Sequence, residues 1–109
     1  MLDKVAVRLA IDVYEEDALE FVRLTLKDAD AFVGDIVSRV GQGDAQTAGL
    51  AAHSLKSIMR QIGAEDVGSV AYEIEKAGKA GLLDVCRDHL HYLNATYAEA
   101  RDYLASLLS

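Results

Sequence analysis

The sequence contains no proline, no tryptophan and a single cysteine, Cys86. Without proline the chain has no enforced breaks, which favours long helices over a strand-and-turn fold. One thiol makes neither an intrachain disulfide nor a multi-cysteine zinc site, so a reducing cytoplasm is expected. Cations are also scarce: 11 Lys and Arg stand against 18 Asp and Glu, for a formal net charge of -7. Such a surface repels phosphate backbones and argues against nucleic-acid binding. No apolar run approaches the roughly 18 residues of a membrane helix. Asp3, Lys4, Arg8 and Asp12 interrupt the N-terminus too often for a signal peptide. None of the eight glycines builds a phosphate loop, which disfavours a nucleotide hydrolase. What is present is a 109-residue chain, 51% apolar, enough for one core and no second.

The apolar residues are helically spaced. From Glu15 to Val40, Leu19, Val22, Leu26, Ala29, Val33, Ile36 and Val40 recur at threes and fours. Gly41-Gln42-Gly43 ends this stretch, and Asp44 suits the N-cap of the next helix. That second helix, Ala45 to Ile62, carries Ala48, Ala51, Leu55, Ile58 and Ile62, with Gly63 placed to terminate it. A third helix from Glu65 to Ala77 directs Val67, Val70, Ile74 and Ala77 inward, and Gly78 to Gly81 form a turn. The last helix bears Leu83, Cys86, Leu90, Leu93, Tyr97, Ala100, Leu104 and Leu107. These patterns predict an all-α fold, an antiparallel four-helix bundle over residues 15–109. Residues 1–14 alternate like a strand at Val5, Val7, Leu9, Ile11 and Val13, while Leu2, Val5 and Leu9 fit a helix. A lone strand has no ladder partner in a bundle, so a short helix packed across one end is expected, with an arm that pairs with a second copy as the alternative.

His53 is the informative residue. At about 100° per residue it stands about 180° from the core stripe of its helix, so its imidazole should face solvent. Gly49, Lys56, Ser57 and Arg60 are its neighbours at -4, +3, +4 and +7. A neutral imidazole is a competent nucleophile near pH 7, since its ordinary pKa is about 6.5. Were it phosphorylated, Lys56 and Arg60 could each donate to the new negative charge. Gly49 and Ser57 keep the surface low, so that another protein's active site could close over the ring. Composition and periodicity alone favour an ordinary solvated histidine.

The runs Ala52-His53-Ser54-Leu55-Lys56-Ser57, Ile62-Gly63-Ala64 and Ile74-Glu75-Lys76-Ala77-Gly78 resemble the histidine phosphotransfer (HPt) domain family, and the similarity extends from about Tyr14 to Leu108. The resemblance implies that His53 accepts a phosphoryl group from the aspartyl phosphate of a response-regulator receiver domain and passes it to another. It places Lys56 near the phosphate and Gly49, Leu50, Ser57 and Arg60 on the receiver-docking face. It further implies that Gly63 ends the helix and lets the second and third helices pack closely. Where the family often has glycine, this chain has Ser57, which could hydrogen-bond the imidazole or shift partner choice. Sensor-kinase histidine domains typically carry an acid after the histidine, and here Ser54 stands there, so a carrier without ATP-binding or autokinase domain is expected. Mg²⁺ is expected on the partner receiver, and no metal or other cofactor on this chain. Expected partners are receiver domains and a hybrid histidine kinase, with no nucleic acid and no membrane. The chain is expected to be a cytoplasmic monomer.

Other features read as structural. Phe21, Thr25 and Phe32 form a second stripe on the first long helix, either peripheral core or part of a docking patch. His89 and His91 lie about 200° apart on their helix and cannot chelate one metal. Cys86 reads as a small buried hydrophobe, and Tyr72, Tyr92, Tyr97 and Tyr103 as bundle packing with wet hydroxyls. The acids are expected on exposed faces, which gives no carboxylate dyad. The competing reading is a helical adaptor or dimerisation module that binds partner helices without chemistry.

Overall fold

The computed structural model describes all 109 residues. Five helices follow in order: α1 (Lys4–Asp12), α2 (Ala18–Gly41), α3 (Ala45–Gln61), α4 (Glu65–Lys79) and α5 (Leu83–Ser106), with a 3-10 turn at Glu15–Asp17 before α2. Helices α2 to α5 form the predicted four-helix bundle. The molecule's long dimension of 42 Å fits the 24-residue helices α2 and α5, each about 36 Å at 1.5 Å per residue.

The predicted stripes meet in one core. Val22, Leu26, Ala29, Ile36 and Val40 of α2 are buried together with Leu55 and Met59 of α3, Val67 and Ile74 of α4, and Cys86, Leu93, Tyr97, Ala100 and Leu104 of α5. Complete burial of one such aliphatic side chain is worth about 2 kcal/mol, so this cluster carries the fold. Leu19, expected in the stripe, is instead 56% exposed; at that end Phe21 stacks on Tyr14 at 3.9 Å. Phe21 and Phe32 pack partly buried against the core and Thr25 is buried, so that second stripe is peripheral packing.

The N-terminal segment is a helix, and it uses a different face from the expected one. Leu2, Val7 and Ile11 are buried while Val5 and Leu9 are exposed. Asp3 caps α1 by accepting from the Ala6 N–H at 3.0 Å. The helix lies over the connection between α3 and α4, where Gly63 has φ +86 and an added Cβ would come within 2.7 Å of the Ala6 carbonyl oxygen. Gly63 thus does end α3, as expected, but the close approach it permits is to α1. The approach of α3 to α4 is made elsewhere.

Asp44 caps α3 through the Thr47 N–H at 3.1 Å, and hydrogen bonds from Thr47 hold its carboxyl below the usual range. Helix α4 continues to Lys79, two residues beyond the expected end. Gly78 sits inside it because of what it faces across the seam.

Candidate functional site

Small residues line the contact between α3 and α4. Ala45, Ala48, Gly49 and Ala52 on one side, with Gly68, Ala71 and Gly78 on the other, are all buried. A Cβ on Gly78 would lie 2.5 Å from the Ala45 carbonyl oxygen and 2.7 Å from the Gly49 Cα, so the two backbones meet there. Gly49 is therefore no part of an exposed docking face, contrary to the sequence expectation. Its helix is covered on two sides, by α2 and by α4, and its buried arc is wider than a single stripe.

Glu75 lies in this seam. Its side chain is 3% exposed, so the acids are not all on exposed faces as expected. Burial pushes its carboxyl up, but hydrogen bonds from Lys56, His53 and Lys79 outweigh this and hold the pKa at about 2. The group is a carboxylate at neutral pH, held by donors that converge on it from both helices. Lys56 Nζ donates to Oε1 at 2.6 Å, and His53 Nδ1 lies 2.7 Å from Oε2. Lys79 Nζ is 3.3 Å from the same oxygen.

These contacts define the state of His53. An ionised carboxylate only accepts, so Nδ1 carries the proton and donates it to Glu75. The imidazole remains 57% exposed, and Nε2 has no partner within the chain. The result is an oriented, outward-facing imidazole whose lone pair lies on Nε2.

The other predicted site residues fall into two groups. Leu50 is 67% exposed and Ser57 is exposed one turn beyond His53. Ser57 Oγ donates to the His53 carbonyl oxygen at 3.2 Å, so it does not engage the imidazole. Arg60 is engaged beyond the imidazole: its Nε donates to Glu65 Oε1 at 3.2 Å. Tyr72 on α4, at the edge of the site, lies under three cations. Lys76 Nζ is 4.5 Å, Lys56 Nζ 5.0 Å and Arg60 Cζ 5.7 Å from its ring centroid.

Glu75, Lys79 and Tyr72 were not among the predicted site residues. The available signal was Glu75's own position: it shares one helical stripe with Gly68, Ala71 and Gly78, where a solvated acid does not belong.

The remaining titratable groups lie apart from this site. Cys86 is fully buried, and burial pushes its thiol up. His89 Nδ1 donates to the Val85 carbonyl oxygen at 2.9 Å. The Tyr97 hydroxyl is not wet as expected: it donates to Asp30 at 2.6 Å, and burial followed by that hydrogen bond pushes it well above the ordinary phenol range. No helix is long and apolar enough to cross a membrane.

Residues 20–103, well over half of the chain, match the family model described as the Hpt domain. The fold also matches the crystal structure of histidine-containing phosphotransfer protein B from Pseudomonas aeruginosa PAO1, with a TM-score of 0.88 at 20% identity. That match covers 98% of this chain and 93% of the other, and at this identity it speaks for the fold. No curated protein sequence matches the chain.

Proposed function

This chain belongs to the Hpt domain family of histidine phosphotransfer proteins, and from that premise we propose that His53 carries the phosphoryl group. The family works in phosphorelays with response-regulator and kinase partners, as a phosphocarrier rather than a kinase. The observation that carries the assignment is the pairing of an exposed His53 with buried Glu75, which leaves Nε2 as the free nucleophile.

The chemistry follows from that tautomer. A receiver domain presents an aspartyl phosphate against the His53 face of α3. The Nε2 lone pair attacks phosphorus, and the bond from phosphorus to the aspartyl oxygen breaks with its electron pair left on the carboxylate. The new Nε2–P bond makes the ring cationic while Nδ1–H stays on Glu75, whose negative charge offsets the ring's. Transfer to a second receiver is the reverse. Lys56, one turn from His53, is within reach of the phosphate. The divalent cation that assists this chemistry, Mg²⁺, belongs to the receiver in this reading.

Charge supports the choice of partner. Helix α3 contains no acidic residue and two cations, Lys56 and Arg60, in a chain of net charge -7. A receiver's active site is acidic, so a helix that presents it no carboxylate of its own avoids like-charge repulsion. Exposed Leu50 and the small Ser57 flank the ring and complete the docking face. The chain acts as a cytoplasmic, monomeric carrier with no autokinase activity of its own.

The test is transfer from a labelled, phosphorylated receiver to the purified chain and to His53→Gln. Acid-labile, alkali-stable label on the native chain alone is the expected result. Label on both would move the site, with His89 and His91 next to be replaced. No label from several receivers, with both proteins helical, would leave the adaptor reading in its place.

A further inference from the structure

Glu75 is held by more cations than a single carboxylate needs. Lys56 Nζ sits on Oε1 at 2.6 Å, and Lys79 Nζ on Oε2 at 3.3 Å beside the His53 N–H. The two lysines differ in setting. Lys56 is 17% exposed and wedged between Glu75 and the Tyr72 ring. Lys79 is 70% exposed, on the last turn of α4, four residues after Glu75 and so on the same helix face. Lys76, the nearest other cation on α4, pairs with Glu73 at 3.0 Å instead.

A phosphoryl group on His53 would set two anions in competition for Lys56. Lys56 Nζ rests between Oε1 of Glu75 and the Tyr72 ring, so turning to a phosphate on Nε2 means leaving Oε1. A carboxylate only 3% exposed has lost most of its hydration and depends on counter-charges within the chain. If Lys56 were its only lysine, turning to the phosphate would leave Glu75 facing the phosphorylated ring alone, whose positive charge is shared with the attached phosphate, and Oε1 would lose its donor. A second cation on the other carboxylate oxygen removes that conflict.

Building on the assignment of His53 as phosphoacceptor, we propose that Lys79 is a positioning residue for the phosphorylated state: it keeps Glu75 neutralised while Lys56 swings to the phosphate on Nε2. Lys79 does not touch the phosphoryl group. It acts through Glu75, and its effect on the reaction exists only when Lys56 is there to be released.

The experiment measures how label divides at equilibrium between a phosphorylatable receiver and the full chain. The chains compared are native, Lys79→Met, Lys79→Arg, Lys56→Met and the Lys56→Met/Lys79→Met double variant, with helicity and melting of each recorded alongside. Lys79→Met should shift label toward the receiver by about fivefold, in the range of coupled neighbouring side chains, and Lys79→Arg should return to within about twofold of native. In the Lys56→Met background, further loss of Lys79 should change the division by less than about twofold. A Lys79→Met chain that divides label as the native one does would overturn the proposal and leave the His53 assignment standing. So would independent, multiplying effects of the two lysines, which would make Lys79 a distant field charge. A native chain that takes no label at His53 would sink the assignment and this inference together.

Discussion

Two seams of the bundle each hold a carboxylate, and they use it differently. On α2, Asp30 reaches across to α5, where it accepts from the Tyr97 hydroxyl at 2.6 Å and from Arg101 Nε at 3.1 Å. The glycines of α2, Gly34 and Gly41, have nothing within 4 Å of an added Cβ, so no backbone closes on that helix there. Asp30 stays at the rim, 43% exposed. On the α3–α4 seam the glycines bring the backbones together, and Glu75 lies at depth with lysines over it. A rim carboxylate clamps two helices. A buried one, unable to trade its partners for water, fixes the proton of the imidazole that reaches it.

The comparison can be broken most severely at the seam's closest point. Gly78→Val should cost about 4 kcal/mol or prevent folding, since its Cβ has only backbone to displace. Thermal melting measures it. A valine tolerated with little change would mean that the helices do not approach as described.

Next in size is Glu75→Gln, which should destabilise the protein by about 3 kcal/mol at pH 7 and slow phosphoryl transfer by about tenfold. The pH dependence separates charge from shape. The folded carboxyl is held at about 2, below its ordinary 4.5, so its contribution is complete above that ordinary value and is lost as pH falls toward 2. That window is worth about 3 kcal/mol. Native and Glu75→Gln unfolding curves should therefore converge between about pH 5 and pH 2. Parallel curves would contradict a charge-bearing Glu75.

Asp30→Asn should cost about 1 kcal/mol, as an exposed clamp does, and leave phosphoryl transfer unchanged. A slowed transfer would erase the distinction between the seams. The smallest effect belongs to the outward face of α3. Ser57→Gly should cost about 0.5 kcal/mol through helix propensity alone, with transfer within about twofold of native, because its hydroxyl bonds only the His53 carbonyl.

Much of the bundle was legible in the sequence because apolar residues at threes and fours have one helical reading. The termination of α3 at Gly63 and the outward placement of His53 follow from the same geometry. The N-terminal helix exposes the limit of periodicity: Val5, Val7, Leu9, Ile11 and Val13 are all apolar, and only packing against the bundle selects Val7 and Ile11. A single core stripe puts Gly49 on the surface, but two neighbours cover its helix. Glu75 escaped for a related reason, since hydropathy puts an acid outside and only the small residues on its stripe say otherwise. Both misses fall on the one seam where glycine, rather than bulk, decides what is inside.

The central claim is that Glu75 holds the proton on Nδ1 and so directs the phosphoryl group to Nε2. Long-range ¹H–¹⁵N correlation spectra of the phosphorylated, ¹⁵N-labelled chain test it most directly, because they distinguish the two ring nitrogens. The account predicts phosphorus on Nε2 with a retained Nδ1 proton. Phosphorus on Nδ1 would require the Glu75 contact to be absent and would contradict it.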